Sequence, residues 1–315
     1  MSVIKIGISA CLTGQKVRFD SQHKRSDFCM NELGQHVEYV PFCPEVAIGM
    51  SIPRPVIRQV QVGETIKVCH VDGSNDVASK LYDYGQTVAA NHLDDLSGYV
   101  FCAKSPSCGM ERVKVYNETA TWATYDGVGV FAKSIMDSDP LLPCEENGRL
   151  NDAHLRENFV MRVFVYHAWK TLVKEGLTLH NVTTFHAKHK YLLMSHKYQA
   201  YKELGRLLGD CSKEALESVS KEYIAGLMNA LAKPATRKAQ TNTLMHLQGY
   251  FKKLLSKLEK QELCEAIEQY RLGNVPLYVP LTLLSHHTRI HDLEYLKDQV
   301  YFSPYPNELK LRFGI

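Results

Sequence analysis

No apolar stretch in the 315-residue sequence approaches the run of roughly 20 residues that spans a bilayer. A membrane-embedded helix is therefore not expected. The apolar part of Met1-Ser2-Val3-Ile4-Lys5-Ile6 is too short for a signal peptide and reads as the first strand of a domain, so a cytoplasmic location is expected. No Cys-x-x-Cys pair is present, although the chain has nine cysteines, at 11, 29, 43, 69, 102, 108, 144, 211 and 264. Their odd number and irregular spacing argue against a disulfide framework and leave metal ligands or small buried hydrophobes. Internal repeats and low-complexity segments are also missing. What remains is an ordinary globular composition, 45% hydrophobic and 23% charged, on a chain long enough for two cores.

Net charge is low, only +3, but it is unevenly spread. Residues 1–150 carry 14 Lys and Arg against 18 Asp and Glu, whereas residues 151–315 carry 23 against 16. Ten of the 14 histidines also lie in the second part. Such asymmetry fits either a C-terminal half that meets a polyanion or a helical domain with a solvated basic face.

The first half alternates strands, loops and helices. Apolar runs at Ile4–Ser9, Val37–Phe42 and Gly98–Cys102 read as core strands. Val56–Val62 and Thr65–Val71, split by Gly63-Glu64, read as a hairpin. Asn75–Leu93 has helical periodicity, and Ser26–Gly34 suits a short helix with Ser26 as its N-cap. This alternation predicts a three-layer, Rossmann-like α/β domain with a mostly parallel sheet over 1–150. Asp137–Asp152, with Pro140, Pro143 and Gly148, reads as the boundary. An all-α domain is predicted over 151–315, with helices near 152–175, 184–208, 212–232, 236–257, 259–272 and 280–298. The tail from Tyr301, with Pro304 and Pro306, reads as irregular and packed on the surface.

Cys11, Cys43 and Cys108 share a context that the other six cysteines lack. Each follows the C-terminal end of a predicted core strand, where the loops of an open α/β sheet converge on one crevice. Three thiolates so placed suit a four-iron, four-sulfur cluster with one open iron, or zinc with a bound water, or three unreactive buried cysteines. Cys29, Cys69 and Cys102 read as core residues.

The residues around these positions resemble the thiouracil desulfidase family. The resemblance rests on Ser9-Ala10-Cys11-Leu12-Thr13-Gly14, Arg18-Phe19-Asp20, Cys43-Pro44-Glu45 and Lys104-Ser105-Pro106-Ser107-Cys108-Gly109, in matching order and spacing, over about residues 3–150. In the second half, residues 185–196, Thr241–Phe251 and Pro280–His287 resemble a helical domain of the YbgA type that is commonly fused to desulfidase domains. The fused architecture is associated with removal of sulfur from 4-thiouridine in transfer RNA.

The resemblance implies a desulfidase domain over 1–150 holding a 4Fe-4S cluster through Cys11, Cys43 and Cys108. A thiocarbonyl sulfur bound at an open iron would be activated toward water, with release of sulfide and no net electron transfer. Glu45, two residues after a ligand, is the candidate general acid and base. Ser105 and Ser107 are candidates to orient it or the attacking water, with Ser107 equally suited to a plain turn. Lys104, Arg18 and Arg54 are candidate substrate contacts, and Arg18 with Asp20 also suits a structural ion pair.

A base inside folded RNA must leave its stack before its C4 atom can react, at a cost of roughly a few kcal/mol. Lys188, Lys190 and Lys197, with Lys202 and Arg206, are candidate backbone contacts, and Tyr191, Tyr198 and Tyr201 candidate stacking residues. Tyrosines in a core and solvated lysines are the plainer reading. His186 with His189, and His286, His287 and His291, have helical spacing but no further ligand to complete a metal set. The readings that compete with a thiolated-tRNA desulfidase are a desulfidase of free thiouracils or thionucleosides, a non-catalytic iron–sulfur RNA-binding or sensor protein, and a zinc hydrolase.

Overall fold

A computed structural model describes residues 3–312, which divide into two compact units between Asn151 and Asp152. In the first unit, β1 (Lys5–Ser9), β2 (Glu38–Phe42), β5 (Leu96–Phe101) and β8 (Cys144–Glu146) form a parallel sheet in the order β2-β1-β5-β8. All six residues of β5 are buried, as expected of a strand covered on both faces. Tyr99 of β5 stacks on Phe101 at 4.1 Å between ring centroids and meets Phe131 edge-on at 6.1 Å. Phe131 belongs to α3 (Val130–Ser138), which packs against α2 (Ala78–His92). The short helix α1 (Pro44–Ala47) starts directly after β2.

A second sheet in this unit also has four strands. The expected hairpin is β3 (Ile57–Val62) with β4 (Thr65–His70); β6 (Val113–Tyr116) joins β3 in parallel, and β7 (Ala123–Gly127) joins β6 antiparallel. The parallel sheet agrees with the α/β expectation. The second sheet is a departure from a single three-layer domain. Its β7, Ala-Thr-Tyr-Asp-Gly, is largely exposed and carries no apolar run to mark it. Likewise β8, Cys-Glu-Glu, falls inside the proline-bounded stretch read as a boundary loop, although it completes the parallel sheet. Ser26 does not start a regular helix: residues Phe28–Glu32 make one π turn, followed by a 3-10 turn at Leu33–Gln35.

The second unit is helical, as expected: α4 (Ala153–Glu175), α5 (Leu179–His196), α6 (Tyr198–Gly209), α7 (Leu216–Ala230), α8 (Arg237–Gln248), α9 (Lys257–Leu272), α10 (Tyr278–Ile290) and α11 (Glu294–Lys297). Asp152 caps α4, and capping boxes open α5 (Thr178 with Asn181) and α9 (Ser256 with Glu259). The single helix expected over 184–208 is two helices, because Lys197 adopts extended backbone (φ −148°, ψ 95°) and ends α5 as it begins α6. The tail is not a surface segment. Tyr301 is fully buried and its hydroxyl donates to Gln240 at 2.6 Å, while the Arg312 guanidinium reaches Glu157 at 3.1 Å. Among the described residues no helix is long and apolar enough to cross a membrane.

Candidate functional site

A cavity of about 410 Å³ opens where β1, β2 and β5 end. Cys11 lies in the 3-10 turn Ala10–Thr13 after β1, Cys43 joins β2 to α1, and Cys108 lies in the loop after β5. All three line the cavity, together with Glu45, Arg18, Arg54, Lys104 and Ser105. Convergence of strand-end loops thus brings together residues nearly a hundred positions apart.

Two further residues at this cavity were not singled out from the sequence. Cys102, read as a core-strand residue, stands one position beyond β5 and lines the cavity with Cys11. Ser9 Oγ accepts the Cys102 N–H at 3.0 Å. The strand-end criterion applied to Cys11 would have selected Cys102 had the strand been ended one residue earlier.

The thiols sit in a desolvated wall. Burial, then the nearby Glu45 carboxylate, pushes Cys43 up to about 12. Burial likewise holds Cys108 well above the ordinary thiol range.

Glu45 is held from several sides. Ser107 Oγ donates to Glu45 Oε1, and the Cys43 thiol donates to Oε2 at 3.4 Å. Arg54 Nη2 stands 3.8 Å from Oε2, with side-chain exposures of only 6% and 12% for the two residues. Arg54 Nη1 also donates to the Val17 carbonyl at 2.9 Å, so the arginine is fixed between that loop and Glu45. Arg54 is thus better placed to position the carboxylate than to reach outward for substrate. Ser105 and Ser107 are 2.9 Å apart through their hydroxyl oxygens, and Ser105 Oγ accepts the Cys108 N–H at 3.1 Å. Ser107, fully buried, is more than a turn residue.

The loop carrying these serines is clamped by the start of α3. Gly129 N–H donates to the Gly109 carbonyl at 2.7 Å and Ala132 N–H to the Ser107 carbonyl at 3.1 Å. A Cβ at Gly129 would stand 2.5 Å from Ser107 O, so glycine is required by close approach. Around the rim, Arg18 pairs with Asp20 at 3.4 Å and lies over the half-exposed Phe19 ring, while Lys104 is exposed in left-handed backbone (φ 65°).

The second unit separates the other candidates. Lys188 pairs with Asp298 at 3.2 Å, and Lys197 is exposed at the α5–α6 break. Tyr191, a candidate for base stacking, is buried and donates its hydroxyl to Tyr250 at 2.9 Å, so it belongs to the core. Tyr198, Tyr250 and Tyr295 instead remain 40–41% exposed. Lys202 lies over Tyr198 at 4.8 Å and Lys190 over Tyr295 at 5.1 Å. Tyr198 stacks with His246, and Tyr250 with Tyr295, each at 6.0 Å. His189 is buried on Phe185 with Nδ1 at 2.8 Å from the Phe185 carbonyl, and burial holds both His186 and His189 down at about 4. Neutral, packed histidines account for that spacing without a metal.

Both units are similar in sequence to known proteins. Residues 6–147 match the family model described as 2-thiouracil desulfurase, and residues 190–306 match one described as a protein of unknown function, DUF1722. The uncharacterized protein YbgA of Escherichia coli (strain K12) is 29% identical over 164 residues, covering 52% of this chain and 97% of that protein. A solved 4Fe-4S-dependent thiouracil desulfidase, TudS, is 28% identical with a TM-score of 0.39, covering 47% of this chain and 93% of that one. The first unit thus carries the match to the 2-thiouracil desulfurase family model. The second unit carries the DUF1722 match and is similar to YbgA.

Proposed function

We propose that the protein removes sulfur from 4-thiouridine in transfer RNA, leaving uridine and releasing sulfide, with a 4Fe-4S cluster held by Cys11, Cys43 and Cys108. The observation that carries this reading is the single cavity on which three strand-end thiols and the braced Glu45 carboxylate meet. The donor set suits such a group. The lining sulfurs are soft, and the burial that disfavours free thiolates is offset when a metal group replaces their protons. Among the described residues no three His, Cys, Asp or Glu side chains are grouped to hold one metal ion. Thiols spread around a cavity wall suit a polynuclear group better than a single zinc ion.

When bound, the cluster supplies Lewis-acid activation of the thiocarbonyl. The remaining chemistry falls to the chain. Glu45 Oε1 is engaged by Ser107, and Oε2 would lose its Cys43 donor once that thiol gave up its proton to hold the cluster, which would leave Oε2 to take a proton from the attacking water and return it to the departing sulfur. Ser105 fixes the Ser107 hydroxyl, and Arg54 holds the carboxylate in place. In sum, the thiocarbonyl and one water become a carbonyl and hydrogen sulfide.

The second unit supports the choice of RNA over a free base. Its tyrosines present partly exposed rings flanked by lysines, the combination that stacks bases and neutralises phosphates. Lys190 and Lys202 are the cations on those rings, and Lys197 is exposed at the start of α6. The test is anaerobic reconstitution with iron and sulfide, incubation with bulk thiolated tRNA or with free thiouracil, and nucleoside analysis. Loss of 4-thiouridine with equivalent gain of uridine is expected. Reaction of free thiouracil alone would assign the protein to the smaller substrate.

A further inference from the structure

The second unit holds a cavity that neither the desulfuration chemistry nor the tyrosine surface uses. It has a volume of about 190 Å³ and lies between α10 and the C-terminal tail. One wall follows from helical spacing. Tyr278, Thr282, Ser285 and Arg289 recur every three or four residues, so they share one face of α10. The other wall is the tail, which brings Asn307 and Lys310 to the same cavity. Arg312 lines it too, but Glu157 at 3.1 Å balances that charge.

The lining offers donors without acceptors to match them. Thr282 gives its hydroxyl hydrogen to the Tyr278 carbonyl at 2.7 Å, and Thr288 gives its own to the Leu284 carbonyl at 2.7 Å. Ser285, between them on the helix, makes no such bond among the described residues. The side chains of Arg289, Lys310 and Asn307 likewise have no partner among the described residues. No Asp or Glu lines the cavity. Two cations beside two neutral donors call for an anion with several acceptor oxygens, which suits a phosphate better than a carboxylate. Leu281 and Tyr305, both buried, also line the cavity, and apolar walls strengthen the field of the cations.

We propose that this cavity binds a phosphate group, held by Arg289 and Lys310 with Ser285 and Asn307 as neutral donors. The group belongs either to the backbone of bound RNA, in which case it rests on the tRNA reading, or to a free phosphate ester.

Full-length protein is titrated with inorganic phosphate at fixed ionic strength by calorimetry, and its binding of tRNA is followed across a salt series. Saturable phosphate binding is expected, weakened about tenfold or more in Arg289→Gln and in Lys310→Gly, as for loss of one hydrogen bond to a charged group. Lys310 lies in left-handed backbone (φ 52°), which glycine adopts freely, so Lys310→Gly removes the ammonium without straining the tail. Circular dichroism checks that both variants fold. If the phosphate is that of RNA, each variant also lowers the slope of log affinity against log salt by about one. Phosphate binding lost with an unchanged tRNA slope assigns the cavity to a free phosphate ester. Absence of saturable phosphate binding, or binding that either variant keeps unchanged, would overturn the proposal. Neither measurement reads turnover, so a failure of desulfuration leaves the phosphate result standing.

Discussion

Replacing Ser107 by alanine removes the hydroxyl that donates to Glu45 Oε1 while leaving the backbone of the Cys108 loop unchanged. A hydrogen bond to a charged group contributes about 1.5–3 kcal/mol. Each 1.36 kcal/mol of barrier corresponds to about tenfold in rate, so a bond needed in the transition state predicts a fall in kcat of roughly 10- to 150-fold. The Arg54 contact at 3.8 Å persists, so Glu45 should stay in the cavity and iron content should match the parent protein. Stability should fall by a smaller amount, about 1–2 kcal/mol, because one buried oxygen is deleted and Ser105 loses one partner. The assay is sulfide release under single turnover, with urea denaturation and iron analysis on the same preparation. A kcat within twofold of the parent at equal iron loading would show that the Ser107–Glu45 contact carries no catalytic weight.

Three other outcomes follow from the geometry. Gly129→Ala forces a Cβ toward Ser107 O at 2.5 Å, and overpacking of this kind costs about 1–3 kcal/mol; urea denaturation should report that loss, and iron loading should drop with the displaced loop. His186 and His189 are held at about 4 by burial, below the ordinary 6.5. The unfolded chain therefore binds protons first as pH falls, so their contribution is complete above 6.5 and is lost between 6.5 and about 4, by on the order of a few kcal/mol. Denaturation midpoints at pH 7 and pH 5 check this, and His189→Gln should flatten the dependence. Tyr250→Ala with Tyr295→Ala should weaken tRNA binding roughly tenfold or more, as expected for a base stack worth about 1–3 kcal/mol, with little change in salt dependence. Lys190→Gln with Lys202→Gln should instead reduce the salt slope. Filter binding across a salt series separates the two, and unchanged binding in both would remove this surface as the RNA contact.

Legibility of the fold tracked apolar patterning. Ile6 and Ile8 in β1, the unbroken run of β5, and the period of α2 mark buried elements directly, and the structure has them within a few residues. Strands β7 and β8 carry polar residues because their pairing, not their side chains, places them in sheets. The break at Lys197 leaves no Gly or Pro in the sequence, since extended backbone at one lysine suffices. At the site, Cys11, Cys43 and Cys108 were visible because strand ends converge, and Glu45 because it neighbours Cys43. Arg54 reaches Glu45 only through the intervening turn, and Ser9 and Cys102 meet through strand register, so neither contact has a local signal.

The most direct test of the account is a comparison of two substrates on one anaerobically reconstituted preparation: 4-thiouridine within tRNA and the free thiopyrimidine, each followed by sulfide release and nucleoside analysis. The account predicts conversion of 4-thiouridine to uridine in tRNA, lost in Cys43→Ser together with iron and lost in Glu45→Ala with iron retained. Full activity of Glu45→Ala, or full iron content in Cys43→Ser, would contradict it.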